Sequence, residues 1–166
     1  MKTLFVDTFY WVALFNPKDE WHLTVINYSK NLVSVYLVTT DEVLTEFLNF
    51  FSTYDSKTRQ NAINRVQDIL HNDYVQIIPQ THETFLAGLE LYKQRADKEY
   101  SLTDCISMQT MKQLGITEIL THDRHFTQEG FTRLFEGINN LKSWELKYHD
   151  YCTRNTLLFT GRIFRI

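Results

Sequence analysis

Short runs rich in β-branched and aromatic residues, at Thr3–Val6, Ser34–Val38, Tyr74–Ile78 and Thr117–Thr121, alternate with longer stretches whose apolar residues recur at helical spacing. Alternation of this kind leads to βαβ units, and βαβ units build a parallel sheet covered by helices. A further short strand is predicted at Phe131–Phe135, and helices at about residues 20–32, 58–71, 81–98 and 102–114. After the second run, Thr39-Thr40-Asp41 offers helix caps, and Val43, Leu44, Phe47, Leu48, Phe50 and Phe51 then form one broad apolar face. Gly115 is placed to stop the helix over 102–114 in a left-handed cap before the Thr117 strand begins. The expected architecture is therefore α/β, with a central, mainly parallel sheet flanked by helices. A chain of 166 residues, 43% of them hydrophobic, fills one core and is too short for two ordinary domains.

The formal charge of −3 gives no bulk attraction to nucleic acid. Its distribution is uneven, however. Residues 137–166 carry five basic against two acidic residues, a balance of +3, which leaves −6 for residues 1–136. The acidic body and the basic tail are thus suited to different partners. The two cysteines, Cys105 and Cys152, stand far apart, and neither a signal peptide nor an apolar run near 18 residues is present. The expectation is a soluble, reduced, cytoplasmic protein with no membrane partner. Cys105 reads better as a small buried hydrophobe than as a reactive thiol.

Four isolated acids then need explaining. Asp7 closes the run Thr3-Leu4-Phe5-Val6, and Asp123 closes Glu118-Ile119-Leu120-Thr121-His122, so both stand at the carboxyl ends of expected strands, where open α/β sheets bind ligands. Glu46 falls on the border of the apolar face of its helix, and Asp104 shares a stripe with Met108 and Met111. Each acid has an ordinary alternative. Asp7 and Asp123 could be Asx turns or helix N-caps, Ser101-Leu102-Thr103-Asp104 fits a capping box, and a helix-flank glutamate is usually solvated. Taken as a set they point elsewhere, because a parallel sheet can bring all four to one edge, where their repulsion calls for protons or cations between them. Magnesium prefers hard oxygen ligands and binds through a few carboxylates plus substrate phosphate. The chemistry that follows is phosphodiester hydrolysis, with a metal activating the attacking water and stabilising the leaving oxygen.

Four segments carry a resemblance: Leu4-Phe5-Val6-Asp7-Thr8, Thr40-Asp41-Glu42-Val43-Leu44-Thr45-Glu46-Phe47, Ser101-Leu102-Thr103-Asp104 and Leu120-Thr121-His122-Asp123-Arg124-His125-Phe126. In order and spacing the chain resembles a PIN-domain nuclease of the VapC-like toxin type over about residues 1–136. That resemblance implies a PIN-like fold for 1–136, with Asp7, Glu46, Asp104 and Asp123 as the acidic catalytic site holding one or two Mg2+ or Mn2+ ions. It makes Asp7 and Asp104 the direct ligands, Glu46 and Asp123 the completing groups, and Thr8 and Thr121 supporting hydroxyls. It further implies an RNA substrate cut to a 5′-phosphate and a 3′-hydroxyl, a small antitoxin partner whose helix covers the site, and a homodimer.

Around this frame, Arg124 beside Asp123 is a better phosphate contact than Lys57, Arg59 and Arg65, of which Arg59 and Arg65 form no single stripe, and a solvated surface arginine is the equal alternative at that position. His122 and His125 flank Asp123 and could ligate a softer metal, but without cysteine partners or a His-Glu-x-x-His pattern they are left out of the metal set. The aromatic residues Tyr10-Trp11, Phe15, Trp21 and Phe50-Phe51 fit core better than interaction surface. Residues 137–166 form a C-terminal extension with no role carried over. Three rival readings remain. A phosphatase of the haloacid-dehalogenase kind needs a second Asp two positions after Asp7, where this chain has Phe9. A catalytically silent PIN-like module that binds RNA or protein has no need of all four acids. An RNA-processing PIN nuclease outside any toxin–antitoxin pair shares the same site.

Overall fold

The computed structural model of the protein describes residues 1–135. Five strands, β1 (Lys2–Val6), β2 (Val35–Thr40), β3 (Val75–Ile78), β4 (Glu118–Leu120) and β5 (Thr132–Arg133), form one sheet in the order β3-β2-β1-β4-β5. Every neighbouring pair is parallel. Strands of such a sheet are covered on both faces, so they read as continuous apolar runs. Accordingly Leu4, Phe5 and Val6 of β1 and Leu37 and Val38 of β2 are all buried, and residues of both faces enter one core.

Among the described residues, seven helices connect or flank the strands: α1 (Thr8–Phe15), α2 (His22–Ser29), α3 (Asp41–Phe50), α4 (Ser56–Leu70), α5 (His82–Gln94), α6 (Leu102–Leu114) and α7 (His125–Gln128). Their ends follow the capping chemistry of the sequence. Thr40 Oγ1 accepts from Val43 N at the start of α3, Thr81 and Ser101 open α5 and α6 with capping boxes, and Gly115 closes α6 at φ 66°. Several boundaries move from their expected places, α2 ending at Ser29 and β2 running on to Thr40 among them. Helix α4 begins earlier, at Ser56, because Asp55 caps the amides of Lys57 and Thr58. Helix α2 begins at His22, after an Asx turn in which Asp19 Oδ1 accepts from Trp21 N. Helix α5 stops at Gln94, and the next residue, Arg95, leaves helical geometry and pairs with Glu129 at 2.8 Å.

The chain builds β1, β2 and β3 outward in one direction, then crosses back to lay β4 and β5 on the other side of β1. Between β1 and β4 the direction reverses, and open α/β sheets bind their ligands in the crevice beyond the carboxyl ends of the strands at such a point. The core beneath it holds Tyr10, Trp11, Trp21 and Phe51; Phe15 is half-buried, and Phe50 alone of this aromatic set is exposed. Cys105 is fully buried, and burial pushes its thiol up to about 11, which fits the inert reading. No helix among the described residues is long and apolar enough to cross a membrane. Cys152 and the expected extension, residues 137–166, lie outside the described residues, as does Glu136 at the expected end of the body.

Candidate active site

Asp7 follows the last residue of β1, the central strand, and sits at the reversal of strand order. It is the N-cap of α1: Thr8 N donates to Oδ1 at 2.8 Å. Its other oxygen accepts from Thr121 Oγ1 at 2.7 Å, just past the end of β4. The residue is only 7% exposed. Burial pushes its carboxyl up to about 7; the bonds from Thr121 and Thr8 pull down, and the charges of Asp104 and Glu46 add to the rise. Asp7 therefore feels two of the other three acids directly.

Glu46 comes from α3, the helix that follows β2, and is half-buried. Thr8 Oγ1 donates to its Oε2 at 2.5 Å, so the first residue of α1 ties α3 to the end of β1. Asp104 occupies the first turn of α6, where Ser101 N donates to Oδ2 at 2.8 Å and Asp104 N donates to Ser101 Oγ at 3.0 Å. Its carboxyl lies above its ordinary range because of burial, against the Ser101 bonds, with the charges of Asp123 and Glu46 contributing. The capping-box reading is realised here: the cap holds Oδ2 and leaves Oδ1 outside it.

Asp123 lies in the loop between β4 and α7. Its amide donates to Thr121 Oγ1 at 3.1 Å, and its Oδ1 accepts from His125 N at 2.9 Å, an Asx turn that opens α7. Thr121 is thus the hinge of the site, donating to Asp7 while accepting from the backbone of Asp123. Two further contacts brace the same loop. Arg133 Nη1 donates to His122 O at 2.8 Å, and the His122 ring packs on Phe9 and Trp21 with centroids 4.2 and 5.2 Å away.

The four expected acids lie near enough for their charges to act on one another, Asp104 and Glu46 on Asp7 and Asp123 and Glu46 on Asp104, and Thr8 and Thr121 bond to two of them. The structure also adds a group that the sequence reading set aside. Ligand atoms of Asp104, Asp123 and His125 all lie within 4.8 Å of one another. His125 is the residue whose amide the Asx turn captures, and its position two after Asp123 was the available signal. Arg124 is exposed between them, whereas Arg65 of α4 is committed to the Phe15 ring at 5.2 Å and to Asp68 at 3.3 Å. The donors fit a hard divalent cation: carboxylates from four segments, two of them raised in pKa by burial, with the charges of the other acids adding to the rise.

The PIN-domain family model matches residues 4–131, most of the chain. The chain belongs to the PIN-domain family. Among solved structures, this PIN domain is similar to Mycobacterium tuberculosis VapC20, described as a sarcin-ricin loop cleaving toxin, with a TM-score of 0.70 and 24% identity over 78% of this chain and 96% of that one. It is also similar to FitAcB from Neisseria gonorrhoeae, with a TM-score of 0.59 and 16% identity over 80% of this chain and 96% of that one. A structure of FitAB bound to an IR36 DNA fragment gives a TM-score of 0.58 and 18% identity over 81% and 99%. At such identities these likenesses establish the shared fold. No match was found among curated protein sequences.

Proposed function

We propose that this PIN domain is a divalent-metal-dependent endoribonuclease, the toxin of a cytoplasmic toxin–antitoxin pair. The observation that carries the reading is the convergence of Asp7, Glu46, Asp104 and Asp123 on the crevice at the reversal of strand order, with the Asp7 carboxyl pushed up to about 7 by burial and its acidic neighbours. Asp7, Glu46, Asp104 and Asp123 would hold Mg2+, or Mn2+ in its place. The bound cation would polarise the scissile phosphate and activate the attacking water. The chain's own contribution is to fix the donors before substrate arrives. Thr121 and the α1 amide hold Asp7, Thr8 holds Glu46, the Ser101 cap holds Asp104, and the Asx turn holds Asp123. Arg124, exposed beside Asp123, is the proposed contact to the RNA phosphate.

A small antitoxin is the proposed partner. A groove of about 790 Å3 with an aromatic side (Phe15, Phe47, Phe51) and a polar side (Asn61, Asn64, Asp68), apart from the four acids, supports capture of an amphipathic helix there rather than over the acidic site itself. The test is cleavage of a panel of transfer, ribosomal and messenger RNAs with Mg2+, with Mn2+ and with chelator, beside an Asp104→Asn variant. Metal-dependent cutting lost in the variant supports the nuclease. Cutting with no growth arrest on expression favours an RNA-processing enzyme outside a toxin pair, and no cutting under any metal favours a binding module.

A further inference from the structure

We infer that His125 is a metal ligand, and that the cation position it shares with Asp104 and Asp123 prefers a first-row transition ion to Mg2+. The inference rests on the acidic crevice being a metal site and names which ion that site selects. Two independent observations carry it. Ligand atoms of the three side chains lie within 4.8 Å of one another, the spacing of donors around one ion. In addition, His125 Nδ1 is a buried atom 3.1 Å from Asp123 Oδ2, so the ring is turned toward that carboxylate. A ring nitrogen that close to a carboxylate oxygen can serve with it as donor to one cation.

The selectivity follows from ligand chemistry. Oxygen donors alone suit Mg2+, which also demands near-ideal octahedral geometry and gives up water reluctantly. An imidazole donor suits transition ions, whose affinity for such a site rises from Mn2+ through Co2+ to Cu2+. The ring is held in place from outside the site. Tyr100 packs on His125 with centroids 5.2 Å apart, and Tyr100 OH donates to Glu129 Oε1 at 3.2 Å. Arg95 and Lys112 pair with the same Glu129 at 2.8 and 3.3 Å, which binds the carboxyl end of α7 to α5 and α6. The imidazole is therefore presented by a fixed short helix rather than by a free loop.

The experiment uses chelator-stripped full-length protein, with calorimetric titration of Mg2+ and Mn2+ and visible absorption of bound Co2+, for wild type, His125→Ala and His125→Phe. The phenylalanine variant keeps a ring against Tyr100 but has no donor atom. Expected is tighter binding of Mn2+ than of Mg2+ by the wild type. Both variants should lose roughly tenfold or more in Mn2+ affinity, the cost of losing even a supporting group at a metal site, with Mg2+ affinity little changed and the Co2+ spectrum shifted. Equal losses for both ions would mean that His125 only positions Asp123, and unchanged affinities would place it outside the site; either result overturns the inference. Those results leave the nuclease reading intact if Asp104→Asn still abolishes metal-dependent cutting. Failure of the wild type to bind any of the three ions would remove both readings together.

Discussion

Asp7 holds two positions at once, as the cap of α1 and as the most buried acid of the crevice, and the second works against folding when no cation is bound. Its carboxyl is raised to about 7 in the fold, so the folded state binds this proton more tightly than the unfolded chain does. The stabilising contribution of protonated Asp7 is complete below the unfolded value near 3.9 and is lost as pH climbs through about 7. Asp104 is displaced in the same direction and adds to the trend. Replacing Asp7 by Asn keeps a capping oxygen and removes the buried charge. A displacement of this size corresponds to at most about 4 kcal/mol, and we expect the variant to gain on the order of 1–2 kcal/mol over metal-free wild type at pH 8, with no gain at pH 4, in urea titrations. Millimolar Mg2+ or Mn2+ should raise the Tm of the wild type and leave that of the variant where it was. A wild-type Tm indifferent to both ions would remove the physical case for a shared cation. The acids themselves were legible because each interrupts an apolar pattern. Their caps were legible too, from Ser101-Leu102-Thr103-Asp104 and from Asp123 before α7. What no pattern in the chain announced was that capping and site geometry coincide, one oxygen of Asp104 held by Ser101 while the other is left over. His125 was weighed and set aside because it has neither cysteine partners nor a His-Glu-x-x-His pattern, and nothing in the sequence shows that the Asx turn at Asp123 brings its ring beside Asp104 and Asp123.

The helices α5 and α6 pack against each other more tightly than any propensity could foretell. Gly88 of α5 is buried, and a Cβ there would lie 2.3 Å from Ile106 Cγ1 and 3.1 Å from Ile106 N. The side chain could turn away, but the backbone nitrogen belongs to α6 and could not. Gly88→Ala is therefore expected to destabilise by about 1–3 kcal/mol, the usual cost of overpacking, despite alanine's better helix propensity. Urea unfolding is the measurement, and because α6 carries Asp104 in its first turn, metal affinity should fall as well. Pairing the change with Ile106→Ala should recover only the part owed to Cγ1, which a double-mutant cycle separates from the backbone clash. A neutral Gly88→Ala would mean that the two helices can move apart freely. This contact shows where reading by element stops. Periodicity located α3, α4, α5 and α6 and the five strands, with ends shifted by a few residues wherever an Asx cap such as Asp55 or a distant pair such as Arg95 with Glu129 decided the boundary. The face by which α5 meets α6 depends on a glycine whose role exists only across the interface, so neither helix's own sequence reveals it.

At the scale of the whole molecule, the remaining question is where the folded body closes. Beyond β5 the chain runs to Phe135, which is 4% exposed. Its ring meets Tyr28 at 4.8 Å, Phe9 at 5.5 Å, Tyr10 at 6.3 Å and Trp21 at 6.4 Å. Phe9 in turn contacts His122, so this aromatic cluster joins α1 and α2 to the loop that carries Asp123. The backbone agrees with the side chain, since Phe135 N donates to Thr121 O at 3.1 Å. We propose that the body is sealed at this residue and folds without residues 137–166. A fragment comprising residues 1–136 should then unfold cooperatively, with a Tm response to Mn2+ like that of the full chain. The same fragment carrying Phe135→Ala should lose about 3–5 kcal/mol, a large share of the roughly 5–15 kcal/mol that holds a domain of this kind together, and should lose metal affinity with it. If the 1–136 fragment is instead unfolded while the full chain is stable, the last thirty residues belong to the folding unit. The charge division along the sequence makes the comparison informative beyond stability. The fragment sheds the +3 segment and keeps the −6 body, so if the tail supplies phosphate contacts, RNA affinity should fall and its salt dependence should flatten, while the proposed hydrolysis of RNA already bound, which would depend on acids carried by the body alone, should proceed at the full-length rate.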